Sequence, residues 1–242
     1  MFPAYPDLKG RTALVTGASS GIGRGVADAL AAQGVRVAGQ YRTQPLAGGV
    51  QAELGTEAGC VAAVRAVREK LGEISLLVHS AGIYNAGPVD SISAESLEEM
   101  FRVNTFSAFY LVREALKAGL RNVVFIGSTA GQRGEPRHAH YAASKGALQS
   151  MMMSIAVELA PRVRVNLVSP GWVRTPMAEE ALQRIGPALI PTLPNRRVAE
   201  VDDVVNAVLW LASDASAHCI GQDICVSGGA LLVVPRGQVK PV

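Results

Sequence analysis

The chain has 242 residues and a formal net charge of +3, and 49% of its residues are hydrophobic while only 5% are aromatic. This length and composition predict a single α/β domain over residues 1–242, and the absence of any run of ~18 apolar residues or of a signal-type start predicts a cytoplasmic protein with no membrane partner. The thin spread of basic residues excludes a nucleic-acid partner, and three cysteines without a C-x-x-C pair exclude a disulfide framework and a metal site.

Short apolar runs typical of buried strands alternate with helical patterns along the chain. The predicted strands are Thr12–Thr16, Val35–Tyr41, Val50–Glu53, Ser75–His79, Asn122–Gly127, Val163–Val168 and Asp223–Val226. The predicted helices are Ile22–Gln33, Glu57–Leu71, Ala94–Phe101, Asn104–Ala118, Tyr141–Ala160 and Val201–Ala212. Continuous apolar strands favour a parallel sheet that is covered on both faces. The pattern therefore predicts a doubly wound, Rossmann-type sheet of about seven strands, with a ligand at the carboxyl ends of the strands.

A glycine-rich turn follows the first predicted strand directly and leads into the first predicted helix. Its glycines are Gly17, Gly21 and Gly23, in the spacing G-x-x-x-G-x-G. Glycine permits tight turning and close approach of a ligand, and the N-terminus of a helix favours a pyrophosphate. The turn is therefore a candidate dinucleotide site, although a turn of this kind can also form without a ligand.

Tyr141 and Lys145 are four residues apart in a predicted helix, so both side chains leave the same face. An ammonium group beside a phenol favours the ionised phenol and lowers its pKa, as an acid/base catalyst requires. The spacing alone is more typical of a surface pair, so other residues must decide the role.

Several motifs in the same order carry a family resemblance. They are Thr16-Gly17 through Gly23, Asn104, Ser128, Tyr141-x-x-x-Lys145, and Pro170-Gly171 with Thr175. Together they resemble the short-chain dehydrogenase/reductase family, and within it the 3-oxoacyl-acyl-carrier-protein reductases, from about Leu8 to Leu232. The resemblance implies an NADP(H)-dependent oxidoreductase that transfers hydride to a ketone of a small-molecule or carrier-bound substrate. It also implies a homotetramer built as a dimer of dimers.

The resemblance assigns roles to individual residues. Tyr141 would transfer the proton, Lys145 would bind the nicotinamide ribose, Ser128 would bind the substrate oxygen, and Asn104 would hold a water in the proton relay. Asn104 also starts a predicted helix, so capping is its alternative role. The cofactor-binding residues would be Gly17, Ser19, Ser20, Gly21, Ile22, Gly23, Arg42, Glu53, Ala81, Gly82, Tyr141, Lys145, Pro170, Gly171, Val173 and Thr175.

Cofactor choice depends on the residues after the second strand, where NAD enzymes carry an acidic residue and NADP enzymes carry an arginine. Gln40 stands where an aspartate would be expected, and Arg42 offers a planar charged group for a 2′-phosphate. NADPH is therefore favoured, with a solvent-facing arginine as the alternative for Arg42. An NAD-dependent alcohol, steroid or sugar dehydrogenase and a catalytically silent nucleotide-binding scaffold remain the competing functions.

The chain also departs from the family pattern. His79-Ser80-Ala81-Gly82 replaces the usual Asn-Asn-Ala-Gly, and Glu53 stands for an aspartate near the adenine. Residues 176–198 are predicted to form a substrate lid. The polar loop that contains Arg133, Arg137 and His138 is either a recognition site for an acidic substrate or carrier or a solvated loop.

Overall fold

The computed structural model describes residues 2–232, so residue 1 and residues 233–242 of the predicted 1–242 domain lie outside it. Its strands are β1 (Thr12–Thr16), β2 (Arg36–Tyr41), β3 (Val50–Gln51), β4 (Leu76–His79), β5 (Asn122–Ile126), β6 (Arg164–Pro170) and β7 (Asp223–Val226). They form one parallel sheet in the order β3-β2-β1-β4-β5-β6-β7. The predicted doubly wound, Rossmann-type fold is confirmed.

The helices are α1 (Gly21–Ala32), α2 (Glu57–Leu71), α3 (Ala94–Phe101), α4 (Ser107–Leu116), α5 (Thr129–Arg133), α6 (Ala139–Leu159), α7 (Glu179–Leu189) and α8 (Val201–Ala212). The predicted helix start at Asn104 is wrong, because a π-helical segment, Arg102–Phe106, joins α3 to α4 without a break. The sequence analysis missed α5, which is too short for a periodic pattern, and α7, which contains Pro187.

The strand order changes direction between β1 and β4, which are neighbours in the sheet although two strands separate them in sequence. Thr16 at the end of β1 is in register with His79 at the end of β4. The connections from these two strands leave in opposite directions, and the space between them forms a crevice. The sheet order therefore places the ligand site at the carboxyl ends of β1 and β4.

Two buried apolar clusters lie on the two faces of the sheet. Helices α2, α4 and α6 cover one face, where Leu14, Leu77 and Phe125 are fully buried. Helices α1 and α8 cover the other, where Val15 and Val78 are fully buried. Because successive side chains of a strand point to opposite faces, both faces need apolar residues. This explains why the strands are continuous apolar runs.

Residues 176–198, the predicted lid, contain α7 and a small apolar cluster of Leu182, Leu193 and Val198. Trp172 packs against this cluster from the end of β6.

Among residues 2–232, every helix is too short or too polar to cross a lipid bilayer.

Asn122 fastens α8 to the sheet. Its amide nitrogen donates to the carbonyl oxygens of Leu211 (2.9 Å) and Ala212 (3.0 Å), which belong to the last turn of α8. The carbonyl groups at the end of a helix have no partner within the helix and need one from elsewhere. The buried Asn122 side chain supplies one for both carbonyl groups, and Arg164, Ser216 and Arg11 supply others.

We expect Asn122→Ala to lower the free energy of unfolding by roughly 1–3 kcal/mol, because two carbonyl groups lose a buried donor. The matched control is Asn206→Ala, whose exposed side chain donates to the Asp202 carbonyl within α8; we expect it to cost less than about 0.5 kcal/mol. Urea unfolding of both variants measures the difference, and equal effects would contradict the role of Asn122.

Candidate active site

A cleft of about 420 Å³ lies at the carboxyl ends of the strands. It is lined by Ser128 and by every residue that the sequence analysis assigned to cofactor binding. Asn104 is buried and does not line the cleft. The sheet therefore brings together residues that are up to 158 positions apart in sequence, from Gly17 to Thr175.

Two glycines let the glycine-rich turn pack directly against neighbouring main chain at the base of the cleft. Gly17 has a φ of +63°, and a Cβ atom there would lie 3.0 Å from the main chain of Ala81. A Cβ atom on Gly23 would lie 2.3 Å from the Gly17 carbonyl oxygen, so only glycine fits. Ser20 precedes α1 without capping it, which leaves the first N–H groups of the helix available to an anion.

A buried histidine joins the loop after β4 to the end of β1. The Thr16 hydroxyl accepts from the N–H groups of Ser80 and Ala81, each at 3.0 Å, so its proton is directed to His79 Nδ1 at 3.0 Å. His79 Nε2–H then donates to the Ser107 hydroxyl at 3.3 Å, which donates to the Val103 carbonyl at 2.6 Å. Each group in this series of hydrogen bonds has a partner only if the imidazole is neutral.

Burial, and secondarily the charge of Lys145, lowers the pKa of His79 to about 3. The imidazole is therefore neutral at neutral pH. The histidine that replaces the family's usual asparagine at this position thus serves as a polar brace for the loop that carries Ala81 and Gly82.

Gln40 forms a similar brace beneath the glycine-rich turn. Its side-chain oxygen accepts from Gly17 N at 3.0 Å, and its nitrogen donates to the Ala52 carbonyl at 2.8 Å. Arg42, two residues later, is exposed on the cleft wall, and its guanidinium makes no ion pair with any residue in the range 2–232. Glu53 lies on the same side, and its carboxylate accepts from Gly55 N at 2.9 Å.

Tyr141 and Ser128 meet at the opposite end of the cleft. Ser128 caps α5, and its hydroxyl accepts from Ala130 N at 3.1 Å. Burial raises the pKa of Tyr141, while its hydrogen bond with Ser128 acts in the opposite direction. The sequence analysis expected a lowered phenol pKa, but desolvation outweighs the neighbouring groups in the free protein. The phenol is therefore protonated and ready to donate.

Lys145 lies one helical turn beyond Tyr141, with its ammonium nitrogen 5.9 Å from the centre of the tyrosine ring. The ammonium donates to the Ile126 carbonyl at 2.9 Å and is only 6% exposed. Burial lowers its pKa to about 8. The side chain is thus a buried cation held at the floor of the cleft by the end of β5.

Asn104 lies in the π-helical segment behind the cleft. Its side-chain oxygen accepts from Ile83 N at 2.8 Å, and its nitrogen contacts the Ile83 carbonyl (3.1 Å) and Ser144 Oγ (3.0 Å). The side chain therefore connects the loop after β4 to α6 and does not cap a helix. Its predicted role in a proton relay stays a prediction.

Tyr84 lines the cleft and was missed by the sequence analysis. Its ring contacts Tyr141 edge-on, with ring centres 4.8 Å apart. The sequence could have indicated Tyr84 by its position two residues after Gly82, because the chain has few aromatic residues.

No group of three possible metal ligands occurs in the described part of the chain, residues 2–232.

Comparison with known proteins places this cleft in a family. A family model described as enoyl-(acyl carrier protein) reductase matches residues 17–230. The 3-oxoacyl-[acyl-carrier-protein] reductase of Escherichia coli is 31% identical over 94% of this chain and 100% of its own length. The chain belongs to the short-chain dehydrogenase/reductase family. Its predicted similarity to the 3-oxoacyl-[acyl-carrier-protein] reductases is confirmed.

Other relatives in this family carry different names. The L-xylulose reductase of Bos taurus is 37% identical over 93% of this chain and 98% of its own length. The ligand-free aldohexose dehydrogenase of Thermoplasma acidophilum is 26% identical, with a TM-score of 0.91 over 98% of this chain and all of that chain. The protein is therefore an oxidoreductase of carbonyl or alcohol substrates that uses a nicotinamide cofactor.

The cleft fits the nicotinamide dinucleotide that short-chain dehydrogenases/reductases bind. The tight turn that Gly17 and Gly23 permit and the uncapped start of α1 suit a pyrophosphate. The opposite end of the cleft brings together Tyr141, Ser128 and Lys145, the three residues predicted to be catalytic.

We expect the rate of ketone reduction to depend on the protonation of Lys145. Its pKa of about 8 means that the ammonium form predominates below pH 8 and is lost above it, whereas the phenol of Tyr141, with its raised pKa, stays protonated. The wild-type kcat/KM should therefore fall as pH rises above about 8. A profile that is flat to pH 9.5 would contradict this assignment.

Lys145→Met supplies the second arm of that test. Because the folded-state pKa of Lys145 is below its ordinary value of 10.5, burying the charged form opposes folding below about pH 8. We therefore expect Lys145→Met to lose at least about 100-fold in kcat/KM without a lower melting temperature at pH 7. Lys117→Met, at an exposed lysine, is the control and should retain full activity.

Proposed function

We propose that the protein is an NADPH-dependent reductase that transfers hydride to the ketone of a small-molecule or acyl-thioester substrate. The observation that carries this proposal is the presence of Tyr141, Ser128 and Lys145 at one end of a cleft whose other end bears Arg42. A donor phenol, a hydroxyl group and a buried cation meet there. A catalytically silent scaffold would have no need for a lysine buried at a cost in stability.

The reduction assigns a separate task to each side chain. The cofactor, when bound, supplies the hydride that adds to the carbonyl carbon. Ser128 binds the carbonyl oxygen as negative charge develops on it, and Tyr141 donates the proton that completes the alcohol. Lys145 places a positive charge beside Tyr141 and stabilises the phenolate that remains. Asn104 connects α6 to the loop after β4. As the family resemblance implies, it would also hold a water in the proton relay.

The preference for NADPH is supported by charge at the adenine end of the cleft. Arg42 is exposed there without an ion pair among residues 2–232, and Gln40 stands in β2 with its amide occupied by main-chain groups. A guanidinium can bind a phosphate through two charge-assisted hydrogen bonds. No carboxylate from β2 repels the 2′-phosphate, and Glu53 is engaged with Gly55.

A second candidate is an NAD-linked sugar or alcohol dehydrogenase of the same family. It is favoured by the structural similarity to an aldohexose dehydrogenase. The relatives support two substrate classes for a reductase, since one is a 3-oxoacyl-[acyl-carrier-protein] reductase and another an L-xylulose reductase. The ratio of activity with NADPH to activity with NADH and the preferred direction of reaction separate the reductase from the dehydrogenase.

We also propose a homotetramer in the cytoplasm. Helices α4 and α6 expose apolar side chains, namely Phe109 at 48%, Met153 at 48% and Val157 at 80%. Apolar patches of this kind are common at subunit interfaces. A dimer formed through these helices, paired into a tetramer, is the arrangement that the family resemblance implies.

We expect Tyr141→Phe to lower kcat for ketone reduction by about 10²–10⁴-fold, because the proton donor is removed while the ring is kept. NADPH affinity, measured by fluorescence titration, should remain. Tyr110→Phe, on α4 outside the cleft, is the matched control. Turnover near the wild-type rate in a folded Tyr141→Phe protein would disprove the mechanism.

We expect Arg42→Ala to raise the KM for NADPH at least about tenfold and to change the KM for NADH little, because only NADPH carries the 2′-phosphate. Arg36→Ala, at the exposed amino end of β2, the strand that precedes Arg42, is the control. Steady-state assays with both cofactors measure the effect. Equal increases for the two cofactors would remove the NADPH assignment.

A further inference from the structure

The substrate end of the cleft contains an aromatic cluster formed by Tyr84, His138, Tyr141 and Trp172. Tyr84 stacks on His138, with ring centres 4.3 Å apart and planes 7° apart. Its ring meets Tyr141 at 4.8 Å and 85°, and Trp172 at 6.4 Å and 87°. Edge-to-face and stacked contacts of this kind each stabilise a ring in one orientation. Tyr84 therefore stands as a fixed wall beside the proton donor.

Main-chain contacts hold the two loops of this cluster together. Gly87 N, in the loop after β4, donates to the Arg137 carbonyl at 2.7 Å. Arg137 has a φ of +65°, a conformation that is uncommon for a residue with a side chain. His138 Nδ1 lies 2.9 Å from the Pro136 carbonyl, so this nitrogen carries the proton and the ring orientation is set. His138 thus supports Tyr84, while recognition of an acidic substrate or carrier by the polar loop stays a prediction.

Two polar groups in this end of the cleft have no hydrogen-bond partner among residues 2–232. They are the hydroxyl group of Tyr84 and the carboxylate of Glu135, which forms an ion pair with Arg133 at 3.6 Å, a distance too long for a hydrogen bond. The Glu135 side chain is 21% exposed. Burial, followed by the charges of Glu135 and Tyr141, raises the pKa of Tyr84 to about 12, so the phenol remains neutral and can donate.

These two groups distinguish between substrate classes. An alkyl chain in this part of the cleft would remove water from a phenol and a carboxylate and give nothing in return, which is costly for polar groups. Hydroxyl groups next to the reacting carbonyl can donate to Glu135 and pair with Tyr84. A site that forms hydrogen bonds with the hydroxyl groups of its substrate strongly rejects analogues that lack those groups.

We propose that Tyr84 and Glu135 are substrate-binding residues that select a short polyhydroxylated ketone over an unhydroxylated ketone or an acyl thioester. Tyr84 limits the length of the substrate, and with Glu135 it binds the hydroxyl groups beside the carbonyl. This inference rests on the proposed ketone reductase function and narrows its substrate.

The test compares three substrates in NADPH-dependent reduction: erythrulose, 2-butanone with the same number of carbons, and acetoacetyl-N-acetylcysteamine thioester. In the wild type we expect kcat/KM for erythrulose to exceed the other two values by at least about 100-fold. Tyr84→Phe and Glu135→Gln should each lower the ratio of erythrulose to 2-butanone by about tenfold or more. Tyr5→Phe, at a tyrosine packed near α1 outside the cleft, should leave the ratio unchanged.

The possible results separate this inference from the function on which it rests. A wild-type preference for the thioester or for 2-butanone, or unchanged ratios in both variants with unchanged melting temperatures, would overturn the inference and leave the reductase function intact. Failure of the wild type to reduce any of a wider panel of ketones, even with NADPH bound, would overturn the proposed function and the inference with it.

Discussion

The hydrogen-bond chain through neutral His79 is the interaction on which the rest of the cleft depends. It links the end of β1, through Thr16, to the loop after β4. Through Ser107 it also reaches the carbonyl of Val103 in the π-helical segment. That loop packs its main chain against Gly17 and continues to Ile83, which Asn104 holds, and to Tyr84. The glycine-rich turn of the proposed cofactor site, the support of α6 and the aromatic wall formed by Tyr84 are therefore parts of one connected structure.

Burial shifts the pKa values of the acid/base groups more strongly than their neighbours do. The pKa of Tyr141 is raised and that of Lys145 is lowered, in both cases first by desolvation. The two shifts bring the pKa of the Lys145 amine closer to neutral pH and keep the Tyr141 phenol protonated. The free protein is thus set to donate a proton, and it keeps a buried cation at a cost in stability that active sites commonly bear.

Local patterns explain how much of this could be predicted from the sequence. Strand β1 and helices α2 and α3 were predicted with the observed bounds, and Thr56 and Ser93 cap the two helices through their side chains. The cleft residues followed from motif order, because a parallel sheet brings its carboxyl ends to one edge. The stacking of Tyr84 on His138 could not be predicted, since it joins two irregular loops 54 positions apart. The phenol pKa depends on burial, which a helical spacing does not report.

The π-helical segment Arg102–Phe106 has a consequence for how this chain can vary. A wider turn takes in one more residue than an ordinary turn, so it rotates everything that follows it around the helix axis. This rotation lets Asn104 face α6 while Leu111 and Ala115, on α4, still face the sheet. Loss of a single residue here would put the two halves of the long helix out of phase. The number of residues in the π-helical segment is therefore as tightly constrained as their identity.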